Sequence, residues 1–347
     1  MRRRPSVALL SLSLLLAGCG GAADAPERSA ATQDRSAGTD LKVVAAVYPF
    51  AWVAERIAPG AELELLQGAQ EAHDLDLSPT QRAAIETADV VLYTGDIDYQ
   101  PQVEQAVASA GGQVVSAVEV AGEDALLAAA PDAHSHGDEP HGDEPHAEEP
   151  HGDEAEGAAH ADDAEGEPHG DEAAVDPHLW FDPAIMTEVA LATGRAFSAA
   201  DPDNAANYER NAADVAAELQ ALAGDLEATL GGECRFDEAI VSHAAYGYLL
   251  APFGKDQHAV TDVGAESDAS AAELAEIVRE IRAEGFTHVL AEPSEGRDGA
   301  EAVVREAGVA LLEIVPLEAV TDEQAATGLP DLVRAQAASF ATALGCT

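Results

Sequence analysis

Eight short apolar runs, separated by stretches with the spacing of helices, constrain this chain more than any other feature. The first four are Leu41 to Val47, Leu63 to Leu66, Val90 to Tyr93 and Val114 to Val118; the second four are Ala239 to Ser242, His258 to Thr261, Thr287 to Ala291 and Ala310 to Val315. Runs of this length and composition read as buried strands, and their exchange with helices is the pattern of βα units around a parallel sheet. Helical stretches include Ser78 to Thr87, opening at Ser78-Pro79, and the segment carrying Leu274, Ile277, Val278 and Ile281. With 347 residues, 47% of them apolar, the chain has enough material for two cores. The expectation is two α/β lobes.

Two helices lie between the two sets. Asp182-Pro183 supplies a cap and a first-turn proline, and Met186, Val189, Ala190, Thr193 and Phe197 then share one face until Asp201-Pro202. At 1.5 Å per residue, residues 183–200 span roughly 27 Å, so this helix is expected to be a stiff connector. The second starts near Pro202, carries Val215, Leu219, Leu222, Leu226 and Leu230 at helical spacing, and ends at Gly231-Gly232.

Residues 132–174 follow neither pattern. Pro-His-Gly-Asp-Glu occurs at 140, 150 and 168, with a close copy, Pro-His-Ala-Glu-Glu, at 145. Seven of the twelve histidines are here, His134, His136, His141, His146, His151, His160 and His169, and between Pro131 and Glu172 there are sixteen acidic residues and no basic one. Without large apolar side chains the segment is expected to be a disordered surface loop offering weak metal sites.

The N-terminus points to export. Arg2, Arg3 and Arg4 precede an apolar run from Val7 to Leu16, too short to span a bilayer, and Leu16-Ala17-Gly18-Cys19 matches a lipobox in which Cys19 is acylated. Residues 20–39 then read as a flexible tether. The formal charge of −48 disfavours nucleic acid and favours cations. Besides Cys19 there are only Cys234 and Cys346, and an even pair in an exported chain suggests one disulfide instead of a thiolate metal site, provided the fold brings such distant positions together.

Three histidines stand apart from the rich segment. His73 lies in Glu71-Ala72-His73-Asp74, His178 in Asp176-Pro177-His178-Leu179-Trp180-Phe181-Asp182-Pro183, and His243 ends the run Ala239-Ile240-Val241-Ser242-His243. In open α/β sheets ligands bind at the carboxyl ends of strands, where His243 belongs, and three imidazoles with water or a carboxylate complete a four-coordinate zinc site. Any one histidine in such a place is as well explained by packing. Trp180 and Tyr246 either shield the site or serve as core aromatics, and His258 and His288 read as structural.

In order and spacing, the segments around His73, His178 and His243 resemble the metal-binding solute receptors of the cluster 9 (A-I) ABC importers, in their zinc-binding, ZnuA-like branch, from about Leu41 to the C-terminus. Asp176-Pro177-His178-Leu179-Trp180 with Asp182-Pro183 is the most specific element, and an acidic, His-rich insertion before it marks the zinc branch. The resemblance implies two Rossmann-like lobes joined by one long rigid helix, with Zn²⁺ in the cleft between them held by His73 and His178 from the N-lobe and His243 from the C-lobe. A glutamate takes the third position in the manganese branch, so His243 points to zinc, as does imidazole chemistry. Relatives often carry an aspartate before Pro-Leu near the end, where this chain has Val315; water, with Glu292 behind it, or Glu292 itself, is then the expected fourth ligand.

The domain reading is a signal peptide with lipobox at 1–19, a tether at 20–39, an N-lobe at 40–182, a linking helix at 183–200 and a C-lobe at 201–347. The implied function is extracytoplasmic capture of Zn²⁺ by a lipid-anchored monomer that delivers it to an ABC permease and its ATPase. Two other classes compete. A zinc enzyme is disfavoured because neither His-Glu-x-x-His nor Cys-x-x-Cys occurs, and an adhesin or zinc store would act mainly through the loop. Replacing Cys19 with alanine is expected to release the mature protein from the membrane fraction; unchanged retention by fractionation counts against the anchor.

Overall fold

The computed structural model describes residues 40–67, 75–129, 174–261, 270–293, 296–315, 317–318 and 320–347. The first βα set gives strands β1 (Lys42–Ala45), β2 (Glu62–Leu65), β3 (Val90–Tyr93) and β4 (Gln113–Ser116), with helices α1 (Tyr48–Ile57), α2 (Pro79–Thr87), α3 (Pro101–Val107) and α4 (Ala117–Ala121). The two middle helices follow, α5 (Pro183–Ala200) and α6 (Ala205–Leu230). The second set gives β5 (Glu238–His243), β6 (Asp256–Thr261), β7 (His288–Ala291) and β8 (Ala310–Glu313), with α7 (Gly247–Leu250), α8 (Ala271–Glu280), α9 (Arg297–Ala307), α10 (Asp322–Thr327) and α11 (Leu329–Leu344).

Each set forms a four-stranded sheet, ordered β2-β1-β3-β4 and β6-β5-β7-β8, and every pairing is parallel. Parallel strands leave both sheet faces to be covered, and the central strands show it: all four residues of β3 are buried, as are the last three of β7. The fourth run ends earlier than its apolar pattern, because Ser116 turns the chain and accepts a hydrogen bond from the Glu119 amide, so that Ala117 and Val118 open α4 instead of extending β4.

Start signals act as their chemistry dictates. Ser78 and Gln81 form a reciprocal capping box on α2, and Asp182 accepts hydrogen bonds from the Ala184 and Ile185 amides at the start of α5. α6 begins at Ala205, after a 3₁₀ turn over Pro202–Asn204, and buries Tyr208, Ala212, Val215, Leu219, Leu222, Leu226 and Leu230.

Residues 183–200, expected as the stiff connector, form α5. α5 packs on β3, β4, α1 and α4, all in the first lobe, whereas the 26-residue α6 lies along α5 and α1 on one side and α11 on the other. α6 thus touches elements of both lobes. The two are held close because a Cβ at Gly194 would come within 2.5 Å of the Ala212 Cβ. One apolar cluster runs through both lobes, including Val43, Leu92, Phe181 and Val189 from the first part and Leu219, Val241, Tyr246 and Phe340 from the second.

Cys234 and Cys346, 112 positions apart, are joined by a disulfide. It ties the chain entering β5 to the end of α11, beside the backbone bond from the Phe236 amide to the Leu344 carbonyl. By loop-closure reasoning a link over about a hundred residues contributes on the order of 4 kcal/mol. The Cys234→Ser/Cys346→Ser protein is expected to unfold at lower denaturant by about 2–4 kcal/mol, and an unchanged midpoint in equilibrium denaturation overturns this.

Candidate metal centre

The carboxyl end of the second sheet and a turn of the first lobe supply the described part of the site. His243 is the last residue of β5, Glu292 follows the last residue of β7, and Glu318 lies in the chain leaving β8. His178 comes from the other lobe, in the turn that precedes the 3₁₀ helix Leu179–Phe181 and α5. The structure brings the two histidines together, with ring centroids 5.1 Å apart and planes at 77°. His73 lies outside the described residues, as do Cys19, the 20–39 segment and all seven histidines of the 132–174 segment.

His178 is fully buried, and each face of its ring chemistry is assigned. Its Nδ1 lies 2.8 Å from Asp176 Oδ1, which also accepts the His178 backbone N–H at 2.9 Å. That short Asp-Pro-His geometry orients the ring and directs Nε2 toward the second lobe. There Nε2 meets Glu318 Oε1 at 3.1 Å. Burial opposes a charge on His178, but Asp176 and Glu318 outweigh it and raise the imidazole to about 9. Glu318 answers in kind: burial would raise its carboxyl, yet the hydrogen bond and charge of His178 lower it to about 2.

Glu318 was not among the expected ligands. The missing aspartate before Pro-Leu left Val315 in that place, but a carboxylate arrives three residues later and is almost completely buried. Glu292 stands on the far side, 3.8 Å from His243 Nδ1, where it accepts a 2.5 Å hydrogen bond from the Tyr246 hydroxyl. Its backbone N–H donates to Ser242 Oγ at 3.1 Å. Burial raises the Glu292 carboxyl, and His243 and Tyr246 counter it only in part. The aromatics are core and wall together: Trp180 packs edge-on to His178 at 5.4 Å, and Tyr246 stacks between Phe181 and Phe340 at 5.1 and 4.9 Å.

Gly247, directly after Tyr246, permits this approach of the lobes, since a Cβ there would come within 2.9 Å of Asp176 Oδ2. The roots of the 130–173 segment meet beside it. Ala128 and Val175 form an antiparallel bridge, the Asp176 amide donates to the Leu127 carbonyl, and the Leu127 amide donates to the Tyr248 hydroxyl at 2.9 Å.

The buried pair sets a pH window for the metal-free protein. His178 rises from 6.5 to about 9, so its contribution is present below about 6.5 and lost as pH climbs through 9; Glu318 falls from 4.5 to about 2, so its contribution is present above 4.5 and lost toward pH 2. Equilibrium denaturation without metal is therefore expected to show stability falling from pH 6.5 to 9.5, with a flatter profile for Glu318→Gln. Parallel profiles for the two proteins overturn the pairing.

Comparison with known proteins agrees with this architecture. The sequence model of the family described as "ZnuA: Zinc-uptake complex component A periplasmic" matches residues 43–343. The high-affinity zinc uptake system protein ZnuA of Paracoccus denitrificans is 36% identical over 277 residues, 79% of each chain. The zinc-binding lipoprotein AdcA of Streptococcus pneumoniae is 26% identical over 304 residues, covering 86% of this chain and 54% of AdcA, so the chain spans about half the length of that relative. In fold, the Zn(II)-bound ZnuA-like domain of the same AdcA superposes with a TM-score of 0.64 at 22% identity, covering 88% of this chain and all of the domain. With a family match over nearly the whole described chain and a relative of this similarity, the chain belongs to the ZnuA family of zinc-uptake proteins.

Proposed function

We propose that this protein captures Zn²⁺ outside the cytoplasmic membrane and delivers it to an ABC-type importer, binding the ion between the lobes through His178, His243, His73 and Glu318. One observation carries the reading: a buried imidazole from each lobe and a carboxylate from the second converge at the carboxyl end of the second parallel sheet. At zinc–ligand bonds of roughly 2.0–2.1 Å, two donors at the tetrahedral angle are about 3.3 Å apart. The 3.1 Å between His178 Nε2 and Glu318 Oε1 is close to that, so the ion replaces the shared proton with little movement.

The chain's own groups do the rest. Asp176 holds the proton on His178 Nδ1 and leaves Nε2 as the donor. Glu292, fixed by Tyr246, stands behind His243 and balances charge. Glu318 in the fourth position replaces the expected water; a closed set of protein donors suits binding and carriage, whereas catalytic zinc keeps an open position. Family membership supports a solute-binding receptor over an enzyme. The Cys19 lipobox and the disulfide fit a monomer anchored on the outer side, and among the described residues no helix is long and apolar enough to cross a membrane. The permease and its ATPase are the partners this reading requires.

Two classes of zinc binding are expected by titration calorimetry, one tight ion in the cleft and several weaker ones on residues 132–174. Deleting that segment removes the weak class, His178→Ala removes the tight one, and Asp176→Asn weakens the tight class roughly 10–100-fold. Tight binding that survives His178→Ala but disappears with the loop shows the cleft assignment to be wrong.

A further inference from the structure

Away from the cleft, at the opposite end of the second sheet, three donors converge from three elements. Glu238 opens β5, His258 is the third residue of β6, and Glu280 ends α8. The parallel register Glu238↔Asp256 and Ile240↔His258 puts these side chains on one face of the sheet, the face that α8 covers through Ile277 and Val278. One ligand atom from each of Glu238, His258 and Glu280 lies within 4.8 Å of the other two, and His258 Nδ1 is 2.9 Å from Glu280 Oε2. We propose that Glu238, His258 and Glu280 form a second divalent-cation site, of the class that takes Zn²⁺, with water completing the shell.

Chemistry and electrostatics support it. Imidazole and carboxylate are both zinc donors, and donors on one ion are about 3.3 Å apart, within a small side-chain adjustment of the present spacing. Two carboxylates are held together here with one imidazole beside them. His258 and Glu280 keep 28% and 26% of their side-chain surface exposed, so an ion reaches them directly from solvent. The strand-flanking position of His258, read from sequence as structural, carries this role because its neighbours come from distant segments.

The site is read independently of the cleft by ¹⁵N-histidine spectra of the full-length protein, with free Zn²⁺ set by a metal buffer so that uptake by the loop does not matter. The His258 ring signals, assigned with His258→Gln, are expected to shift on raising free Zn²⁺ after the His178 signals have saturated. In Glu238→Gln/Glu280→Gln the free zinc for half-saturation at His258 should rise at least tenfold, with the His178 response unchanged; if the double variant does not fold, Glu280→Gln alone gives the same comparison. A His258 signal that never moves, or that moves at the same free zinc in the variants, overturns the proposal. Failure of the His178 response with His258 intact overturns the cleft reading instead.

Discussion

An imidazolium and a carboxylate from opposite lobes, both buried, govern how this protein is put together. Neither His178 nor Glu318 is tolerable alone in that setting, because an unpaired charge in the interior costs several kcal/mol. Each lobe therefore carries half of a polar arrangement that only the other half satisfies. Asp176 on one side and Glu318 on the other give the imidazole both of its partners, and removing any one leaves the remaining charge stranded. The dependence runs outward from there: the turn that presents His178 is the same turn whose Asp182 starts α5, and α5 is the surface on which α6 lies.

The two parallel sheets make this meeting possible. Strands that all run the same way gather their carboxyl ends on one edge, where irregular chain replaces ladder hydrogen bonds and side chains converge. The edge of the second sheet receives the turn that carries His178, with Phe181 packed against Tyr246. Because one apolar cluster runs beneath both lobes, the donors rest on a common packed base and not on two independent platforms.

Much of this was legible in the sequence, for identifiable reasons. Runs such as Val90 to Tyr93 are apolar throughout because both faces of the strand are covered, and the structure places that strand where the run lies. His178 and His243 were readable because each sits at a punctuated boundary, an Asp-Pro motif or a strand end. The failures share a different cause. Glu318 follows Pro316-Leu317 with no local mark of burial; what buries it is His178, 140 positions earlier along the chain and silent in any window of sequence. Length and caps describe a helix but not what it leans on, so the packing of α6 on α11 was not legible. α6 is distinguished from α5 by its contact with α11, more than a hundred residues from its start. The zinc-type cluster around His258 escaped for the same reason, since its three members belong to β5, β6 and α8.

The bridge between Ala128 and Val175 has an evolutionary consequence. Chain that leaves and returns through neighbouring backbone is topologically a closed appendix, and lengthening such a loop twofold costs only about 0.6 kcal/mol in closure entropy. Residues can be gained, lost or duplicated between those roots while Asp176 and His178, a few steps beyond, keep their coordinates. The Pro-His-Gly-Asp-Glu repeats at 140, 150 and 168 lie between those roots. Change in chain length between those roots is therefore compatible with a pocket whose backbone anchor is a single bridge and one amide bond away.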